Sequence, residues 1–428
     1  MLIKLNNIKP LIKHYFIPNT DDMPSRRYDL DWLRILVFGI LIFYHIGMLY
    51  VANWGFHFKS QYQSQWLELV MLTVEPWRMA TLWVISGVAI KFLLAKVSIL
   101  PFILKRSVKL LLPLLFGVLV IVPPQLYVEM SQKSGLDVSY LHFLFEFYTP
   151  NSQLFEHYQS GVWPHIDVNH LWYLRSLWQY SLFMIFLLPI LNSNVISKAV
   201  TWILNLHGFL ALCIAVTPLF LLQLYWDSST VRYPLGFTFM LYGYLLGWSP
   251  LFWQKLKANL AKLTLVMAIV LAIVIMFYQW VWLEGGSKAA PETLILGTFI
   301  YTIARILGAL TMLSLTYKYL NKSSNSLSYW SEGVYPFYIL HQSIIIIAAY
   351  QLSQIELGQY GALIEPTLIV LITIMSCLLC YEVIRRSRLL RPLFGLKQLL
   401  KYPKKITQLG YIIACLVILP IAFRLLPT

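Results

Sequence analysis

The sequence predicts an all-α polytopic membrane protein with about 10–11 transmembrane helices. Three observations carry that expectation. Of 428 residues, 59% are hydrophobic and only 12% are charged, with a mean hydropathy of +0.67; a water-soluble chain of this length needs far more polar surface. The apolar residues come in uninterrupted runs, not in the alternation of an outer-membrane barrel. The 33 Lys and Arg outnumber 18 Asp and Glu, and they collect on alternate loops, as the positive-inside rule requires. The formal net charge of +15 therefore reflects topology and not nucleic-acid binding.

In chain order, residues 1–27 form a polar, basic tail without the apolar core of a signal peptide, so the first span is expected to direct insertion. Candidate spans follow at about 32–52, 66–95, 107–127, 171–192, 199–224, 234–252, 263–283, 293–316, 334–352, 363–384 and 408–426. The second is too long for one straight crossing and is expected to break near Pro76. Basic residues mark the tail (Arg26, Arg27) and the loops 96–106, 253–262, 317–333 and 385–405. The long loop 128–170 instead holds Glu129, Asp137, Glu146, Glu156 and Asp167 against Lys133. All basic loops share one face if the N-terminus is cytoplasmic, which leaves 128–170 and the C-terminus external. The domain organisation is thus a tail (1–27), a membrane domain (28–390) with its external loop 128–170, and a basic cytoplasmic segment plus an extra helix (391–428).

No metal site is expected. Cys377 and Cys380 form a CxxC in an apolar run with no second pair to close a zinc site. His142, His157, His165 and His170 match no ligand spacing.

Polar residues inside spans are few, and each is a candidate functional residue. Arg34 and His45 stand eleven residues apart in 28–50, YDLDWLRILVFGILIFYHIGMLY. On a helix that is roughly 16 Å and nearly one face. Arg34 reads either as an interfacial anchor paired with Asp31 or as a functional cation; His45 reads either as a neutral hydrogen-bonded core histidine or as a general base. Glu75 and Arg78 are spaced to pair across one turn. Arg106 and Lys109 precede LLP and serve either to stop transfer or to clamp a polyanion. His170 and Arg175 flank an aromatic belt. Arg305 lies near mid-membrane, and YPFYILHQSIII places Tyr338 and His341 inside the bundle. The simplest arrangement is one water-filled cavity shared by these groups.

Five motifs occur in order: DLDWLR with a span ending in YH, ISG at 85–87, the basic pair before LLP, HLWYL, and YPFYILHQ. Together they resemble the membrane acyltransferase 3 family over about residues 25–390. The branch most similar contains glucan biosynthesis protein C, which succinylates osmoregulated periplasmic glucans. The resemblance implies an O-acyltransferase of the cytoplasmic (inner) membrane without a permanently bound cofactor. Acyl-CoA (succinyl-CoA or acetyl-CoA) would enter from the cytoplasm, and a hydroxyl of an extracytoplasmic polysaccharide or oligosaccharide would accept the acyl group. It matches His45 to the family's essential histidine and Arg34 to the arginine separated from it by ten residues. Arg106 matches the first residue of an Arg-x-x-Arg motif assigned to the CoA phosphates. The second position is Lys109, which keeps the charge but loses the bidentate fork. Candidate catalytic residues are therefore His45, Arg78, Tyr338 and His341, with Arg34, Arg106 and Lys109 as donor-binding residues. Tyr338, Arg305 or Arg78 could stabilise the oxyanion, and an acyl-histidine intermediate stays open. The rival is a transporter for an organic anion, disfavoured by the lack of repeat symmetry and by the asymmetric external loop.

Overall fold

A computed structural model describes residues 16–18, 20, 23–150, 152–157, 166–285 and 289–398. In hydrocarbon every backbone N–H and C=O must be satisfied internally, and helices do this within one segment. Among the described residues there is accordingly no strand, only an isolated bridge between Val51 and Ser64. Nine helical segments among them are long and apolar enough to cross a membrane.

The helices are α1 (Tyr28–Gly47), α2 (Gln65–Leu72), α3 (Glu75–Lys96), α4 (Ile99–Phe116), α5 (Pro123–Ser134), α6 (Tyr140–Tyr148), α7 (Trp172–Leu191), α8 (Asn194–Asn205), α9 (Gly208–Tyr225), α10 (Arg232–Leu246), α11 (Pro250–Ala258), α12 (Leu260–Phe277), α13 (Pro291–Tyr319), α14 (Leu327–Leu352) and α15 (Gly361–Arg386). The expected break in the second span falls between α2 and α3, with Pro76 in the first turn of α3, where its missing N–H costs nothing. The span expected at 199–224 is in two pieces. Helix α8 buries none of its side chains, as suits a helix lying along an interface; His207 then caps α9, accepting from the Phe209 N–H. The span expected at 234–252 is the 15-residue α10, about 22 Å long and followed by a separate α11. The segment 408–426 lies outside the described residues.

The third span runs on further than its hydropathy suggests. Helix α4 passes through one π-turn, Gly117–Ile121, into α5. Pro123 has no N–H to give Leu119 O four residues back, and the Tyr148 hydroxyl takes that carbonyl at 2.6 Å. Gln125 N–H bonds Val122 O instead of Ile121 O, and Ser343 Oγ donates to Ile121 O at 2.5 Å. Helix α5 ends at Gly135, whose φ of 62° supplies the left-handed cap.

The chain divides into two compact units, one of Met1–Val37, Leu69–Phe102 and Tyr180–Ser331, the other of Phe38–Glu68, Ile103–Gln179 and Glu332–Thr428. In the first, α3 and α10 meet backbone to backbone. A Cβ added at Gly87 would fall on Met240 O, and one at Gly243 on Val84 O, so glycine is what permits the approach. Trp83 fills the space over Gly236, its ring 4.9 Å from that of Tyr180. Buried Arg27 bonds Asp29 and stacks 3.6 Å over Trp253. In the second unit a core of Ile46, Leu49, Tyr50, Phe58, Val128, Ile345, Ile346, Ala348, Ala349 and Ile369 lies beneath segments expected to be external. His57 Nδ1 meets Glu129 Oε2 at 2.5 Å, Lys59 and Gln132 exchange two bonds, and Tyr50 donates to Glu365 at 3.1 Å. Burial, reinforced by Glu365, holds the Tyr50 hydroxyl well above its usual range, so it stays a donor. Lys59 is shifted down by burial and reaches Met48 O and Val51 O. Elsewhere in that unit the basic segments meet one another: the Tyr335 hydroxyl donates to Lys109 O, and Arg391 pairs with Glu332.

A leucine at Gly87 or Gly243 is expected to lower stability by about 3 kcal/mol through overpacking, read as a fall in Tm in detergent. Gly39→Ala, with nothing within 4 Å of the added Cβ, should be neutral or stabilising by up to about 1 kcal/mol.

Candidate active site

His45 lies in the last turn of α1, half-buried, and His341 lies fully buried in α14. Their Nδ1 and Nε2 are 2.8 Å apart and the rings stack at 5.0 Å. The hydrogen bonds around them allow one proton arrangement. His341 Nδ1 faces the carbonyls of Phe337 and Tyr338 at 3.0 and 2.8 Å. Carbonyls only accept, so Nδ1 carries the proton and Nε2 of the neutral ring has the lone pair. His45 must then donate from Nδ1, which puts its own lone pair on Nε2. The Phe56 ring lies nearly parallel to His45 at 6.3 Å.

A second buried histidine supports the first pair. His170 Nε2 donates to Ile339 O at 3.1 Å, so its Nδ1 accepts, here from Gln125 Nε2 at 3.2 Å. Gln125 Nε2 also donates to Ser343 Oγ at 2.6 Å, while Gln125 Oε1 accepts from Gln342, which donates as well to Asn169 Oδ1. The Tyr338 hydroxyl donates to His170 O at 2.5 Å. His170, Gln125, Gln342, Ser343 and Tyr338 each donate to an acceptor, as a buried network requires. Asn169, just before His170, is the single non-glycine residue with positive φ among those described, at 48°. Asparagine tolerates that conformation better than most residues, and such strain gathers at functional sites.

Tyr335, Tyr338 and His341 follow at three-residue intervals on one face of α14, about 9 Å end to end. Tyr338 packs on Tyr173 at 6.1 Å and on Phe38 at 5.5 Å. At the Tyr335 end lies half-buried Arg106, with Tyr335 and Tyr173 as its electrostatic neighbours. The Lys109 side chain is exposed on the next turn. His45, Tyr338, His341, Arg106 and Lys109 thus belong to one unit, joined by a column of aromatic rings.

Arg34 and Arg78 belong to the other unit. Arg34 donates to Ser331 Oγ at 2.5 Å and lies 3.9 Å from Asp31. The expected pair with Asp31 is present but long, and Arg26 holds the other oxygen of that carboxylate at 3.2 Å. Arg78 is buried in the first turn of α3. Arg305 lies over the Tyr301 ring of its own helix at 4.7 Å, and the fold adds the Gln223 side-chain carbonyl from α9 and Glu75 as a countercharge. Glu75 Oε2 is buried without a hydrogen-bond partner. One unit thus holds a histidine cluster and the other a Glu75–Arg305 cluster.

The sequence reading placed His170 in an aromatic belt and passed over Gln125, Asn169, Gln342 and Ser343. The signal available was the polar run His341-Gln342-Ser343 inside an apolar helix. Three neighbouring imidazoles suggest a metal, but among the described residues no group of histidine, cysteine and carboxylate side chains is arranged to hold one. The nitrogens of His341 and His170 are taken by hydrogen bonds.

A family model described as an acyltransferase domain, that of acyltransferase 3, matches residues 27–385. The chain belongs to the acyltransferase 3 family. No curated protein and no solved structure matches it. Membership makes the chain an acyltransferase with a multi-pass membrane domain, and the matched span lies within the 25–390 expected from the motifs. It supports acyl transfer over the transporter reading.

Replacing His341 with alanine removes the acceptor that holds the His45 Nδ1–H. The expected loss is roughly 10²-fold or more in kcat, with an unchanged size-exclusion profile, measured as acyl transfer by the purified protein.

Proposed function

We propose that the protein transfers a short acyl group, succinyl or acetyl, from cytoplasmic acyl-CoA to a hydroxyl of an extracytoplasmic glycan, with His45 as general base. The observation that carries this is the one-directional hydrogen-bond chain through His341, which puts a lone pair on Nε2 of the one partly accessible imidazole of the three. An acceptor hydroxyl attacks the thioester carbonyl while its proton passes to Nε2. The tetrahedral intermediate then collapses, the C–S bond breaks, and the departing thiolate takes the proton from Nε2 to leave CoA as a thiol. Tyr338 gives its one proton to His170 O, so its part is to hold the segment carrying His170. Arg78 keeps the oxyanion role suggested by its charge and burial.

Arg106 and Lys109 are proposed to bind the donor phosphates, and the aromatic column from Arg106 to His341, within one unit, supports that placement; Arg34 is proposed to bind the donor as well. The acceptor is proposed to be a periplasmic glucan and the location the inner membrane. The motif resemblance to the branch of glucan biosynthesis protein C supports both.

His45→Ala is expected to cut transfer from radiolabelled acyl-CoA by about 10²–10⁴-fold with donor binding retained; full transfer by this variant would sink the proposal. Arg106→Glu should raise the acyl-CoA KM by more than about tenfold, as expected for losing a charge-assisted phosphate contact. An unchanged KM would mean the cation serves topology alone.

A further inference from the structure

The segment after α15 lies beyond the residues matched by the family, and nothing in the acyl-transfer chemistry requires it. Its sequence suggests only a basic cytoplasmic segment. The structure shows a built strap. Helix α15 ends at Arg386, Ser387 Oγ accepts from the Leu390 N–H, and the single turn Leu390–Leu393 follows. Arg391 is buried, and its guanidinium makes three bonds: to Glu332 Oε1 at 2.6 Å, to Arg385 O at 2.7 Å and to Lys397 O at 2.6 Å. It therefore closes the strap on itself and ties it to α14.

The strap is pinned beside the helix that carries Arg106. Phe394 packs on Phe116 at 5.4 Å. Gly395 has φ 67°, and a Cβ there would strike the Tyr335 ring, so the chain runs flat against that side chain. The Tyr335 hydroxyl donates to Lys109 O at 3.2 Å, and Tyr335 is an electrostatic neighbour of Arg106. Lys397 is exposed and only two residues past Gly395, at most about 7 Å along the chain. The charge of Arg391 is answered by Glu332, while the Lys397 side chain is exposed to solvent.

We propose that the strap 387–397 is a second phosphate-binding element of the donor site, with Lys397 contacting a phosphate of acyl-CoA and Arg391 acting as the positioning residue. The inference rests on the proposed donor role of Arg106. The test uses the full-length protein in nanodiscs and two donors, acetyl-CoA and S-acetylpantetheine, which carries the thioester without phosphates. For Lys397→Ala and for Arg391→Gln, the ratio of kcat/KM for acetyl-CoA to that for S-acetylpantetheine should fall about fivefold, through the acetyl-CoA KM. If Arg106→Glu lowers the ratio while both strap variants keep it within twofold of wild type, the strap proposal is overturned and the donor reading stands. If the strap variants lose both activities in parallel, the strap is structural only and the proposal is equally overturned. If Arg106→Glu also leaves the ratio unchanged, both readings fail together.

Discussion

The second unit is organised by the bond from His45 Nδ1 to His341 Nε2. An imidazole buried in a membrane protein can sit in either tautomer, and which one it adopts decides what it can do. Here the choice is made by backbone carbonyls one turn back on α14 and passed to α1 through a single contact. His170, Gln125, Gln342, Asn169 and Ser343 then fix the surroundings of His341 with no buried donor misdirected. Hydrogen bonds in such a low-dielectric setting are strong when complete and costly when not, so the set behaves as one object.

Small residues and prolines perform the complementary task. Gly87 and Gly243 allow α3 and α10 to touch along their backbones. Pro76 and Pro123 each remove a helix N–H. At Pro76 the loss falls at a helix start and marks a break; at Pro123 it falls inside a long segment and exposes an acceptor for another side chain.

Much of the fold was legible in the sequence because hydropathy and loop charge act residue by residue. The break near Pro76 follows from the chemistry of proline. The split of 199–224 was hidden because apolar residues on one stripe of α8 raise the mean as much as a buried span does. The site was legible where a costly side chain sits alone in an apolar run, as with His45 and His341. His170 was not, because at a loop–helix boundary a histidine is unremarkable, and only the fold shows that Ile339 O and Gln125 hold it. Arg305 could be flagged as needing a partner, but Gln223 and Glu75 come from distant helices that no local spacing reveals.

The carbonyls of Leu119 and Ile121 carry a further consequence. Along a regular membrane helix every turn looks the same to a neighbour, and apolar helices can slide past each other by a turn at little cost. The π-turn before Pro123 breaks that equivalence by offering two acceptors at one depth, and Tyr148 and Ser343 each take one. This sets the vertical register of α14 against α4 and α5. The depth of His341 is thereby specified by where a proline falls in another helix.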